Sequence, residues 1–388
     1  MIRLFLLSFL LTSLCAEEPK SICLNMIVKN ETDVICRCLD SVLPIIDYWV
    51  IVDTGSTDGT QELIRGFMKA KGIPGELHER PWVNFEHNRN EALELARGKG
   101  DYVFFIDADE YLVYEPDFEL PDLKLDYYFV TITCGGMKYG KIQLVNNHLD
   151  WEWKGVLHEV ISPPHSRTYG TLAKVTNTYT TEGARSKDSM KFVKDAEILE
   201  KALMENPNDS RYVFYLAQSY FCAGEHRKAL DNYEKRISLG GFKQEVYWSY
   251  CQAGILREML GFPKEAIVEW YRKAFQFRPS RPEALYQLAH YYRRSGDYES
   301  GYRVARLAAD IPPSSDILFL QQWMHDYGID LELSICAYWI GRVEECRQIC
   351  LRLLERGDLP PSYRECVERN LGFANSRLLD DICLTGSD

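Results

Sequence analysis

Apolar positions in the first half of the chain come in short unbroken runs. Ser21 to Val28, Tyr48 to Val52 and Tyr102 to Ile106 are rich in β-branched or aromatic residues and lack strict alternation. That pattern predicts strands buried on both faces of a sheet covered by helices. Each run stops at polar residues: Lys29-Asn30-Glu31, then Asp53-Thr54-Gly55-Ser56-Thr57-Asp58-Gly59-Thr60, then Asp107-Ala108-Asp109-Glu110. Between the runs, Thr32 to Val42 predicts a helix capped by Thr32 or Asp33, and Gln61 to Lys71 predicts another. Asn84 to Arg97 reads as a further helix with Arg89 near its start. Alternating strands and helices imply parallel pairing, and ligands of such sheets bind beyond the carboxyl ends of the strands. Glu31, Asp53, Asp107 and Asp109 all fall at those ends.

From about Met190 the pattern changes to helical spacing and the β-rich runs vanish, which predicts a mainly α domain. Thr176 to Lys187, dominated by Thr, Gly, Arg and Ser, is the expected linker. An internal repeat aligns Arg211 to Tyr220 with Ala284 to Tyr291, and a looser copy runs through Tyr247 to Ala253. Glycines 224, 261 and 296, 37 and 35 residues apart, mark turns between helices. The period is close to the roughly 34 residues of tetratricopeptide repeats, whose paired helices stack because no pair buries its apolar face alone. Ala337 to Arg342 starts a degenerate copy, and Tyr363 to Leu379 offers a terminal cap. Stacked pairs curve into a solenoid suited to positioning a protein or glycan, or to self-association. Its many tyrosines and tryptophans are read as repeat core.

The chemistry concentrates in the first half. Asp107 and Asp109, at a strand end and turn, offer hard oxygens that suit Mg2+ or Mn2+ better than zinc; an ordinary acidic turn is the plain alternative. The Asp53 turn could present N–H groups to a base, ribose or phosphate, yet it has neither the phosphate-loop pattern nor the GxGxxG fingerprint. Arg89 could pair with a diphosphate, or simply with Glu86 or Glu94. Trp151 to Val160 reads as a strand carrying Trp151, Trp153, His158 and Glu159, a composition suited to a sugar site, with cross-strand packing the alternative for the tryptophans.

Four motifs in order resemble the glycosyltransferase family 2 enzymes of the GT-A fold: Met26 to Glu31, Val52 to Thr60, Asn88-Arg89-Asn90-Glu91-Ala92, and Phe105 to Glu110. The resemblance implies an α/β GT-A-type nucleotide-sugar-binding domain followed by an all-α tetratricopeptide-like solenoid. It also implies that Glu31, Asp53, Gly55, Ser56, Asp58, Arg89 and Asp107 bind the nucleotide sugar, with a UDP- or GDP-linked donor expected. Asp107 and Asp109 would form the DxD-type motif that holds the diphosphate through Mn2+ or Mg2+. His158-Glu159 is similar to a His-Glu pair of related transferases that carry helical repeats. His158 would be a third metal ligand or a rival base, and Glu159 the general base. The implied activity is inverting transfer of a hexose or pentose to a protein or glycan acceptor. A non-catalytic scaffold retaining a degenerate transferase domain, and a nucleotidyltransferase, are the alternatives.

Composition adds limits. The 388 residues, 46% of them hydrophobic, allow two domains with real cores. A net charge of −12 argues against broad nucleic-acid binding. Residues 1–16 resemble a secretory signal peptide, with the transferase domain expected over 20–185 and the repeats over 190–388. Export or entry to a secretory pathway, with or without membrane association, is expected, while a cytoplasmic location stays open. The 12 cysteines are scattered; Cys336, Cys346 and Cys350 sit at spacings that suit buried helix positions. Of two glycosylation sequons, at Asn30 and Asn208, the first lies in the donor crevice and is expected to be unused.

Overall fold

The computed structural model describes residues 19–134, 137–162 and 168–385, so the leader expected over 1–16 lies outside it. Strands β1 (Ile22–Val28), β2 (Tyr48–Asp53), β3 (Gly75–Glu79) and β4 (Tyr102–Phe105) alternate with helices α1 (Ile35–Val42), α2 (Thr60–Lys71) and α3 (Phe85–Leu95). β1 pairs in parallel with β2 and β4, and β2 with β3. Both faces are covered. Ile22, Leu24 and Met26 pack on Ile35 and Leu39 of α1 and on Ile64 and Met68 of α2. Cys23, Val103 and Phe105 pack on Leu93 of α3 and on the following Ala96. With apolar cover on each side, the strand runs have no polar alternation, and each large aliphatic so buried contributes about 1.5–3 kcal/mol.

β5 (Glu110–Tyr114), β6 (Tyr127–Cys134), β7 (Met137–Asn146) and β10 (Tyr169–Tyr179) complete an eight-stranded mixed sheet in the order β3-β2-β1-β4-β7-β6-β10-β5. β8 (Glu152–Lys154) and β9 (Val160–Ser162) form a separate antiparallel hairpin. Three expectations need correction. Thr176 to Tyr179 is not linker but strand, paired to β5 and β6. α1 opens at Ile35 rather than Thr32, because the amide and hydroxyl of Thr32 both donate to Asp58. The stretch from Trp151 to Val160 is not one strand: Gly155, at φ 117°, ends β8, and His158-Glu159 falls in the loop before β9.

After a short α4 (Ala184–Lys187) the chain is helical: α5 (Lys191–Glu205), α6 (Ser210–Cys222), α7 (His226–Leu239), α8 (Lys243–Met259), α9 (Lys264–Phe277), α10 (Glu283–Arg294) and α11 (Tyr298–Ala309). α12 (Ile329–Trp339), α13 (Val343–Leu354) and α14 (Pro361–Thr385) follow. Pairs α6/α7, α8/α9, α10/α11 and α12/α13 each turn through a left-handed glycine, at 224, 261, 296 and 341. One residue beyond each glycine an amide returns 2.9 Å to a carbonyl of the helix's last turn, from Glu225 to Tyr220 and from Phe262 to Arg257, for example. This shared stop signal makes the repeat visible in sequence. These paired helices form the tetratricopeptide-like domain. Between α11 and α12 a longer connection is pinned by buried Arg281, which donates to Asp316 at 3.2 Å and to the Leu318 carbonyl at 3.1 Å.

The two halves share a core: Leu157 of the β8–β9 loop is buried with Leu199 of α5, Phe214 of α6 and Leu230 of α7. Among the described residues ten cysteines are free, Cys336, Cys346 and Cys350 among the buried ones, and no helix is long and apolar enough to cross a membrane.

Candidate functional site

The carboxyl end of β2 builds a tight polar nest. Asp53, 1% exposed, accepts from the amides of Gly55 and Ser56 at 3.0 and 2.9 Å and from Gln61 Nε2 at 3.0 Å, all through Oδ1. Its Oδ2 is buried with no partner. A buried acceptor without a donor costs free energy, so this atom is able to take an N–H or O–H. The loop after β1 is laced to the same turn. Asn30, in the left-handed region at φ 58°, accepts from Thr57 N at 2.8 Å, and its own amide donates to Ser56. Asp58 is consumed by Thr32 and Thr60, so it fixes the two loops together.

Glu31 closes the crevice from β1 and accepts from Ala184 N at 3.2 Å. Burial, with Asp109 and Asp58 nearby, pushes its carboxyl up to about 7, against the easing effect of the Ala184 amide. Asp109 is pushed up to about 6, by burial first and then by Asp107 and Glu110. A raised carboxyl favours the fold when protonated. The Glu31 contribution is therefore intact below its ordinary value near 4.5 and lost as pH rises through about 7. Glu31→Gln is expected to raise the melting temperature at pH 8 and leave it unchanged at pH 4, measured by thermal unfolding at both.

Asp107 lives in the opposite field. Arg89 Nη2 donates to its Oδ1 at 2.7 Å and Lys141 Nζ reaches its Oδ2 at 3.4 Å. Burial would raise this carboxyl, but the two cations overcome it and hold it well below the usual range. Arg89 also donates through Nε to Glu159, and its guanidinium lies 5.0 Å from the Trp153 ring. One cation thus bridges Asp107 of the sheet and Glu159 of the β8–β9 loop.

Behind this bridge stands a buried polar network. Lys141 donates to Glu110 at 3.2 Å, Asn177 donates to Glu110 at 2.8 Å and to Gln143 at 3.1 Å, and Gln143 donates to the Phe105 carbonyl at 2.8 Å. Glu110 also accepts from the Asp107 amide at 3.2 Å, so this carboxylate anchors the site from beneath rather than facing it. Lys141 and Asn177 were not singled out in the sequence. Lys141 and Gln143 share one face of β7, and a polar pair at i, i+2 in an apolar strand was the available signal.

The loop after β8 differs from expectation. His158 has φ 52°, so the alternating faces of a strand do not apply to His158 and Glu159. Its ring stacks on Tyr215 of α6, centroids 3.9 Å apart and planes within 14°. His158 is exposed as a residue, yet its ring, stacked on Tyr215, is held down to about 4. Burial is the main cause, opposed by Glu159 and assisted by Arg211, Arg185 and Lys191. Turned toward the helices, it does not gather with Asp107 and Asp109 as the expected third metal ligand. Among the described residues no three His, Cys, Asp or Glu side chains form a ready metal cage. The tryptophans are core: Trp153 meets Phe105 edge-on at 5.0 Å, and Trp151 donates to the Asn146 carbonyl at 2.8 Å.

An open, partly parallel sheet whose strand ends gather acidic side chains around a vacant acceptor defines a ligand-binding α/β domain, here continued by helical repeats. Residues 23–173 match the family described as Glycosyl transferase family 2. The N-terminal domain is therefore similar to that family, and tetratricopeptide-like repeats follow it. A TPR repeat-containing protein of Synechococcus elongatus is 24% identical, with 77% of each chain covered. An uncharacterized glycosyltransferase of Rickettsia bellii is 25% identical over 64% of this chain and 81% of its own. A crystal structure of the C-terminal part of a TPR repeat-containing protein from Cytophaga hutchinsonii is 15% identical. It covers 49% of this chain and 67% of its own with a TM-score of 0.40, so the repeats rest on their own packing.

Proposed function

We propose that the protein moves a sugar from a nucleotide-sugar donor to an acceptor hydroxyl by a single inverting displacement. The convergence of Glu31, Asp53, Asp107 and Asp109 at neighbouring strand ends, closed by the Arg89 bridge to Glu159, carries this reading. Asp53 Oδ2 and Glu31 would take N–H and hydroxyl groups of the base and ribose. The backbone nest at Gly55 and Ser56 holds Asp53 at the angle this needs.

Two carboxylates, completed by the donor's diphosphate, would suit a divalent cation. Asp109 and Glu31 are crowded carboxyls raised by burial first, Asp109 then by Asp107 and Glu110 and Glu31 then by Asp109 and Asp58, with hard oxygens that suit Mn2+ or Mg2+. Asp109, assisted by Asp107, would hold it with the diphosphate completing the coordination, as such cations keep few protein ligands. A bound cation would supply charge to offset that developing on the leaving diphosphate. Glu159 would take the proton from the acceptor hydroxyl as the oxygen attacks the anomeric carbon. His158, stacked away on Tyr215, suits that role less. Arg89 fixes the Glu159 carboxylate against the same Asp107 that meets the diphosphate end, which keeps attack and departure in register. The repeat domain would present the acceptor, a protein or a glycan.

Glu159→Gln tests the assignment of the base. Turnover with Mn2+ and a nucleotide sugar should fall by about 10²–10⁴-fold while calorimetric affinity for the nucleoside diphosphate is kept. Unchanged turnover would move the base elsewhere.

A further inference from the structure

We infer that α6, the first helix of the α6/α7 hairpin, is part of the catalytic apparatus: Arg211, Tyr212 and Tyr215 hold the Gly155–Glu159 loop in the one conformation that presents Glu159 to Arg89. The inference deepens the reading of Glu159 given above and rests on it. The loop has little of its own to define it. It joins two three-residue strands, and it contains two residues at positive φ, one of which, His158, is not glycine. A left-handed histidine persists only where surrounding contacts over-determine it.

Those contacts are present at each position, and most come from the helices. Gly155 N donates to Glu86 of α3 at 2.8 Å, a contact from the sheet side. Val156 N donates to the Tyr212 hydroxyl at 3.2 Å, and Leu157 is buried in the core formed with α5, α6 and α7. The His158 carbonyl accepts from Arg211 Nη2 at 2.7 Å while its ring stacks on Tyr215. Glu159, next in line, meets Arg89. Arg211, whose guanidinium lies 4.9 Å from the Tyr215 ring, is 3.9 Å from buried Glu245, itself held by Arg236 at 2.9 Å. The clamp therefore extends into α7 and α8, and the repeats set the geometry of the reacting carboxylate rather than hanging beside it.

Arg211, Tyr212 and Tyr215 are positioning residues, since their only route to the reaction is through the loop. The test uses the full chain with Arg211→Ala, Tyr215→Leu and Tyr212→Phe, alongside Glu159→Gln. Amide exchange should accelerate about 10-fold or more over residues 155–159 in Arg211→Ala and Tyr215→Leu, with β4 protection unchanged. Turnover should fall about 10–100-fold at unchanged nucleoside-diphosphate affinity, following the loss expected when a reacting group is misplaced by about 1 Å. Arg211→Lys, which keeps a donor for the His158 carbonyl, should recover part of both. If Arg211→Ala unfolds the repeats, Tyr212→Phe removes one acceptor only, and its loop exchange decides. Wild-type loop exchange in these variants overturns the inference whatever the activity. Faster exchange with wild-type turnover, in a background where Glu159→Gln is inactive, overturns the catalytic part. If Glu159→Gln itself keeps full turnover, the reading of the base has failed and the exchange result stands alone.

Discussion

Arg89→Met is expected to abolish measurable sugar transfer and to cost about 3–5 kcal/mol of stability, the range for removing one partner from a buried charge pair. The guanidinium is 11% exposed and joins Asp107, just beyond β4, to Glu159 of the β8–β9 loop. Methionine nearly fills the volume, so the loss arises from charge rather than from a cavity. Without the cation, Glu159 loses its hydrogen-bonded partner, and Asp107 keeps only the 3.4 Å contact to Lys141. Asp107 then repels Asp109 and Glu110 with less compensation, so the crevice should loosen where the diphosphate is held. Arg89→Lys should be intermediate in stability and still poor in turnover, because a single ammonium cannot span two carboxylates as a planar fork does. Urea denaturation and a transfer assay on the three proteins separate the two effects.

Asp53→Asn is expected to leave stability nearly unchanged and to weaken nucleoside diphosphate binding by about 10²-fold. The retained oxygen can keep the amides of Gly55 and Ser56, so the turn survives. The other atom changes from a buried unpartnered acceptor into a donor, pointed at whatever N–H or O–H the ligand brings. Two donors facing each other leave both unsatisfied, a loss of about 1–3 kcal/mol for each buried group. Calorimetric titration of UDP and GDP with Mn2+ into wild type and variant checks it, with thermal unfolding confirming that the fold is intact.

Much of this arrangement could be read from sequence because it lies at strand ends. A buried parallel strand is a run of apolar residues, and the first polar residue after it marks the crevice. The position of Asp53 and Asp107 at strand ends, and of Glu31 three residues past its own, was legible on that ground. The supporting network was not, because Lys141 and Asn177 come from β7 and β10, and nothing local says which strands become neighbours across 30 or more residues. Glu110 is 2% exposed and ties the Asp107 amide to Lys141 and Asn177. The loop of His158 was misread as strand, although Gly155 marked the break. The Tyr215 stack that turns His158 away comes from another domain, more than 50 residues on. The repeats, by contrast, were plain, since each hairpin ends on the same left-handed glycine.

The central claim is that the crevice breaks the bond between a sugar and its nucleoside diphosphate. The most direct measurement incubates the full chain with a panel of UDP- and GDP-sugars and Mn2+, with wild type and Asp109→Ala compared, and identifies the released product. Release of nucleoside diphosphate from at least one donor by wild type, reduced at least about 10²-fold in Asp109→Ala, is the predicted result. Equal release by both proteins would remove the role of Asp109, and release of pyrophosphate instead would make the protein a nucleotidyltransferase and contradict the account.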